Sequence, residues 1–270
     1  MRKLTLGLGL GALLALTMAT SAYAVSTEAT WTSSSTGSTA GGSKAAPAPF
    51  SGTWTIKATN NINPSYRAAV PFSWSWSWEG VTVRQQGIPT CSIEAINDAK
   101  STSVCPPGAH IGISSTPAVA EFGPLDMAEG PNTQCLGKTF DVWNSTNGQL
   151  ALVLDGPPEQ CATLGFLGAY PITLSTSGGK TTMTWTLADN IKFPFPGAEG
   201  GLPSGNFVFN KVVAKPKKGK KGKKAKKSAI LTSINCKGTR DFTMAVVDRF
   251  GTHTSTTSAG NCKAPKKKKK

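Results

Sequence analysis

Phe72-Ser73-Trp74-Ser75-Trp76-Ser77-Trp78 alternates aromatic rings and serines without a break. A period of two belongs to a β-strand, whose successive side chains point to opposite faces. One face carries Phe72, Trp74, Trp76 and Trp78, and the other carries three hydroxyls. Such a face either builds a core or stacks on a ligand. Four buried rings remove ~150–250 Å² each from water, which at ~25 cal/mol per Å² gives an upper limit near ~20 kcal/mol. Left in water, the same area promotes aggregation. The sequence therefore places this face in the core. The alternative is a carbohydrate-binding module with Trp74, Trp76 and Trp78 as its sugar platform.

Outward from this stretch the alternation recurs. Thr53-Trp54-Thr55-Ile56-Lys57-Ala58 puts Trp54 and Ile56 on one face. Val81-Thr82-Val83 follows a break at Gly80. Phe140-Asp141-Val142 and Leu150-Ala151-Leu152-Val153-Leu154 flank a turn at Asn144 to Gly148, and the second is apolar on both faces, as a central strand is. Ile172-Thr173-Leu174 and Met183-Thr184-Trp185-Thr186-Leu187 flank Ser177-Gly178-Gly179-Lys180, a hairpin signal. Pro194 to Gly205 reads as a Pro/Gly loop. Phe207 to Val213 and Ile230 to Ile234 read as a hairpin around a lysine run. Phe242, Met244 and Val246 share a face, and Thr252 to Thr257 follow as an edge strand. Between Cys91 and Cys105, Ser92 caps a short helix with Ile93, Ile96 and Ala99 on one side. Many short strands with turn punctuation predict an all-β fold: a mostly antiparallel β-sandwich with one short helix, covering residues 51–262.

The first 24 residues read as a secretory signal. Arg2 and Lys3 precede an apolar stretch, and Ala22-Tyr23-Ala24 is a small-x-small cleavage site, so the mature chain begins at Val25. Residues 25–50 are rich in Ser, Thr, Gly and Ala and read as a flexible leader, with Trp31 as a loosely packed ring. No other stretch is apolar and long enough to span a bilayer. Six cysteines in an exported chain predict three disulfides. Of the ~15 possible pairings, those between sequence neighbours are expected: Cys91–Cys105, Cys135–Cys161 and Cys236–Cys262.

The formal charge of +15 is not spread over the chain. Lys215, Lys217, Lys218, Lys220, Lys221, Lys223, Lys224, Lys226 and Lys227 form one run. Lys263 begins a second, which ends in Lys266, Lys267, Lys268, Lys269 and Lys270. The two runs hold fifteen of the 29 basic residues. Fourteen basic and fourteen acidic residues remain, and loss of Arg2 and Lys3 with the signal leaves the mature body at −2. Both runs read as solvated, disordered appendages: a loop at 215–227 and a tail at 263–270. Apart from Lys263, their lysines are the candidate polyanion-binding residues. Wall teichoic acids, anionic lipids, acidic polysaccharides and extracellular DNA are candidate partners, bound in a salt-sensitive way. No motif for sequence-specific nucleic-acid recognition accompanies the charge.

Ile88-Pro89-Thr90-Cys91, Cys105-Pro106-Pro107-Gly108-Ala109-His110-Ile111-Gly112 and the closing Cys236-Lys237-Gly238 to Cys262 segment carry a resemblance. They are similar to a group of uncharacterised secreted β-rich proteins of high-GC Gram-positive bacteria. The resemblance implies export and a β-rich fold, and supplies no activity to transfer.

Catalytic constellations are missing from the sequence. It has no G-x-S-x-G, H-E-x-x-H or P-loop, and no C-x-x-C to hold zinc. His110 lies beside a turn, and His253 alternates with threonines on a strand read as surface-exposed. Neither is expected to act as a base. Glu121, Asp126 and Glu129 form the densest acidic cluster, in loops where solvated carboxylates are the default. A hydrolase using Asp126 and Glu129 is the weakest reading. No cofactor or metal is expected. The sequence points to a secreted, non-enzymatic, extracellular or envelope-associated protein.

Overall fold

The computed structural model describes residues 29–39, 41–61, 63, 71–114, 118–124, 133–155, 168–193, 196–209, 213–214 and 228–263. The strands are β1 (Ala29–Gly37), β2 (Ala48–Pro49), β3 (Gly52–Asn60), β4 (Ser73–Trp78), β5 (Val81–Val83), β6 (His110–Ser114), β7 (Ala118–Pro124), β8 (Thr133–Asn144) and β9 (Leu150–Asp155). They continue with β10 (Gly168–Ser177), β11 (Lys180–Thr186), β12 (Ala198–Phe209), β13 (Val213–Ala214), β14 (Ser228–Ala229), β15 (Leu231–Ser233), β16 (Thr239–Asp248) and β17 (Gly251–Asn261). Among the described residues two short α-helices interrupt them, α1 (Ile93–Ala99) and α2 (Asp189–Lys192), together with single 3-10 turns at Thr102–Val104 and Pro107–Ala109.

The fold is mostly antiparallel β, but it is not a sandwich. One sheet runs in the order β1-β3-β12-β6-β8-β9-β10-β11-β4-β16-β17. β7 shares the lane of β6, since both lie between β12 and β8. The sheet curls until its two ends meet, giving a nearly closed barrel of 11 strands. Local alternation is the same in a sandwich and a barrel, so the sequence could not separate them. Trp54 on β3 lies 5.2 Å from Trp76 on β4, so rings from distant strands of the path touch inside. The interior is packed rather than open, with Trp54, Trp74, Trp78, Trp185, Phe140, Phe209 and Phe242 all buried.

The way the ends meet follows from parity. Every step from β1 to β17 is antiparallel, and ten reversals leave the first and last strands running the same way. Among the described residues no backbone ladder joins them, and side chains close the seam. The hydroxyls of Ser33 and Ser255 share a 2.6 Å hydrogen bond. The Trp31 indole N–H donates to Asp248 Oδ2 at 2.8 Å. Asp248 is buried, accepts from the Phe250 backbone N–H at 2.8 Å, and lies 3.1 Å from His253 Nε2. Two expectations are corrected here. Residues 29–39 and 41–50 are not a free leader, because they supply β1 and β2. His253 is half-buried at the seam rather than surface-exposed, its side chain 28% exposed.

The seam yields a direct expectation. Trp31→Ala leaves a buried carboxylate short of a donor, at about 1–3 kcal/mol. Amide exchange of β1 should then accelerate at least tenfold, while the β10–β11 hairpin keeps its protection. Unchanged exchange in β1 would show that Trp31 does not hold the strand.

Outward faces explain the many hydroxyls. Ser34 and Thr55 share a bond at 2.6 Å, Thr36 and Thr53 at 2.6 Å, and Ser75 and Thr184 at 2.9 Å. Opposed Ser/Thr pairs tie neighbouring strands on a solvated face. β9 lies mid-path, with Leu150, Leu152 and Leu154 in the barrel core. Its other face, Ala151 and Val153, is covered by Ile96 of α1 and the Cys91–Cys105 disulfide. Ser92 caps α1 as expected, accepting from the Ala95 N–H. Ala99 is exposed, so the apolar side of that helix is shorter than its spacing suggests.

Cys236–Cys262 is the second disulfide. Cys161 lies outside the described residues, and so does the third expected pair. Two further expectations are corrected. Much of the Pro194 to Gly205 stretch is strand, the first part of β12. The segments around the lysine run do not pair along their length, because β12 pairs with β3 and β6. Among the described residues β13 and β14 close that hairpin over two residue pairs.

Candidate functional site

β4 lies between β11 and β16, and its indoles point into the barrel. Trp74, Trp76 and Trp78 are 1%, 2% and 0% exposed. Trp74 lies 5.1 Å from Trp185, and Trp78 lies 5.4 Å from Phe242. This corrects the sugar-platform alternative, since a sugar would reach these rings only after the barrel opened. Phe72 stands apart from them. It is half-buried before β4, with Lys192 Nζ 4.7 Å from its ring centre.

The end of the barrel beside Trp78 is differently built. A small sheet of β2, β15 and β5 covers it, with Phe50 5.5 Å from Trp78. Arg240 is buried here beneath the cap. Its guanidinium carbon lies 4.6 Å from the Phe50 ring centre, and Nη2 donates to Ser233 Oγ at 2.8 Å. Burial pushes its pKa below the ordinary value, and the Glu79 carboxylate pulls it back.

Gly41 and Gly42 bring the chain flush with this cap. A Cβ on Gly41 would sit 1.7 Å from the Lys263 carbonyl oxygen, and one on Gly42 would sit 1.7 Å from that of Ser233. Only glycine permits such an approach. The next residues form a turn in which Ser43 and Ala46 exchange backbone bonds of 3.0 and 3.1 Å, presenting Lys44 to solvent. Opposite, the Arg84 N–H bonds to the Ile230 carbonyl at 2.7 Å and prolongs the β5–β15 ladder. Between them lies an open groove of ≈ 850 Å³, with Pro47, Pro49 and Ala229 on its walls.

This end also roots both lysine runs. The loop run leaves Ala214 and returns at Ser228, a paired couple, and the adjacent Ala229 lines the groove. The tail leaves from Lys263, whose N–H bonds to the Thr39 carbonyl at 3.3 Å. The lysines at 215–227 and 266–270 themselves lie outside the described residues. The structure thus brings together the attachment points of two runs that are distant in sequence. It adds Lys44 and Arg84, which carry no motif and were not identified from sequence.

The remaining candidates are scattered. His110 and Asp141 pair at 3.3 Å on the barrel wall, with the His110 ring 4.8 Å from Trp143. Glu121 falls in β7, while Asp126 and Glu129 lie outside the described residues. Among the described residues no group of three or more His, Cys, Asp or Glu is placed to hold a metal ion. None of the described helices is long and apolar enough to cross a membrane.

No protein family model matches the chain, and neither the curated proteins nor the solved structures contain a match.

Proposed function

We propose that this is a secreted, non-enzymatic protein of the extracellular space or cell envelope, held on anionic polymers by its lysine segments. The observation that carries this reading is the placement of charge. Fifteen lysines sit in two runs, the mature body without them is at −2, and both runs are rooted at one end of the barrel. Charges gathered at one pole act on the same stretch of a polymer, whereas dispersed charges do not. The two disulfides suit an oxidising compartment. The body supplies a rigid base, and the lysines supply delocalised attraction.

The test is retention on isolated cell walls along a salt gradient. The parent should elute at clearly higher salt than a variant lacking the lysines of 215–227 and 266–270. On a duplex nucleic acid each neutralised phosphate adds about 0.9 to the log–log salt slope, and the slope on an anionic wall should fall with charge in the same sense. Equal elution of parent and variant would end the proposal.

A further inference from the structure

The groove at the capped pole has a chemistry of its own. Lys44 and Arg84 line it, and among the described residues neither pairs with a carboxylate. Uncompensated cations on two sides of a cleft focus an attractive field on an anion. The walls between them are aliphatic, from Ala46, Pro47, Pro49 and Ala229. The Gln85 amide is already engaged, donating to Asn144 Oδ1 at 2.9 Å and to the Gln149 carbonyl at 2.5 Å. Gln86 is exposed, and its amide makes no bond with the described residues. At ≈ 850 Å³ the groove is as large as sites that hold small ligands, about 300–1,000 Å³.

These features discriminate among anionic polymers. Among the described residues no aromatic ring lines the groove, so nucleobases have nothing there to stack on. A phosphodiester-linked polyol offers charge but no flat apolar surface for the proline walls. A chain of uronic acid sugars offers both. Its carboxylates suit a guanidinium and an ammonium, its ring faces present C–H groups, and its hydroxyls suit a free amide.

We infer that the groove is a subsite for a short segment of an acidic polysaccharide. Uronate carboxylates meet Lys44 and Arg84, sugar faces lie against Pro47 and Pro49, and ring hydroxyls reach Gln86. The inference rests on the polyanion reading for its class of partner, but it locates binding in the folded body rather than in the lysine segments.

Calorimetric titration separates the two. The probe is a linear uronate oligosaccharide, compared with its carboxyl-reduced counterpart and with linear polyphosphate. The proteins are the full chain, a full-length variant with the lysines of 215–227 and 266–270 changed to glutamine, and Lys44→Gln/Arg84→Gln in each background. Both groove side chains are exposed, so an unchanged melting temperature is the control for folding. The lysine-depleted variant should bind the uronate oligomer at one saturable site. Lys44→Gln/Arg84→Gln should weaken that binding at least tenfold, as should carboxyl reduction. A smaller loss, uronate binding that vanishes with the lysine runs alone, or polyphosphate bound as tightly by the depleted variant would each overturn the subsite. Failure of the tethering role shows elsewhere, as equal elution from cell walls.

Discussion

Trp54→Ala is expected to lower the unfolding free energy by about 3–5 kcal/mol, the range for emptying a large aromatic from a packed core. Trp54 is 0% exposed. Its ring stacks on Phe207 at 4.2 Å and meets Trp76 at 5.2 Å, Trp74 at 6.1 Å and Phe242 at 6.4 Å. Those partners belong to β12, β4 and β16, each fixed by its own ladder, so they cannot converge to fill the space. The neighbouring Thr55→Ala removes one outward hydroxyl bond to Ser34 and should cost about 0.5 kcal/mol. Urea unfolding followed by far-UV dichroism measures both. A Trp54→Ala loss under ~1 kcal/mol would mean that the barrel does not close around this ring.

The second large effect concerns Cys236–Cys262. Replacing both cysteines with serine should cost about 3.5 kcal/mol on the chain-entropy estimate. The bond spans 26 residues and closes the β16–β17 hairpin at its base. Lys263 follows it directly and bonds back to Thr39, so the same change loosens the anchorage of the tail and of the Gly41–Gly42 approach. The shorter Cys91–Cys105 loop, at 14 residues, should matter slightly less, about 3 kcal/mol. Denaturation midpoints of the two double-serine variants give the comparison. A Cys236/Cys262 variant as stable as the parent would remove the disulfide from the account.

Much of this architecture was legible because it is local. The Trp/Ser alternation of β4, the two-faced apolar character of β9, the Gly178–Gly179 turn and the Ser92 cap each state their geometry within a few residues. Strand order is not local. β12 pairs with β3, about 150 residues before it, and β4 inserts between β11 and β16. No period along the chain records such neighbours, so sandwich and barrel looked alike. β1 was missed for another reason. Ala29–Gly37 is nearly all Thr, Ser and Gly apart from Trp31, a composition that usually signals disorder. Here its hydroxyls bond across strands and its single indole is anchored at the seam. In β12, glycine and proline masked a ladder that other strands impose. The candidate site was half legible. Its charge runs are plain in the sequence, whereas Lys44 and Arg84 acquire meaning only when β2, β5 and β15 fold over the barrel's end.

The parallel meeting of β1 and β17 has a consequence for how the molecule meets other chains at high concentration. An exposed strand border is a template on which another chain can add, the first step towards fibrils. Here the two borders face each other through the Ser33–Ser255 couple, and Trp31 of β1 reaches past β17 to Asp248 at the end of β16. The two borders share no ladder, yet each lies against the other, so a foreign strand would have to part them before it could add.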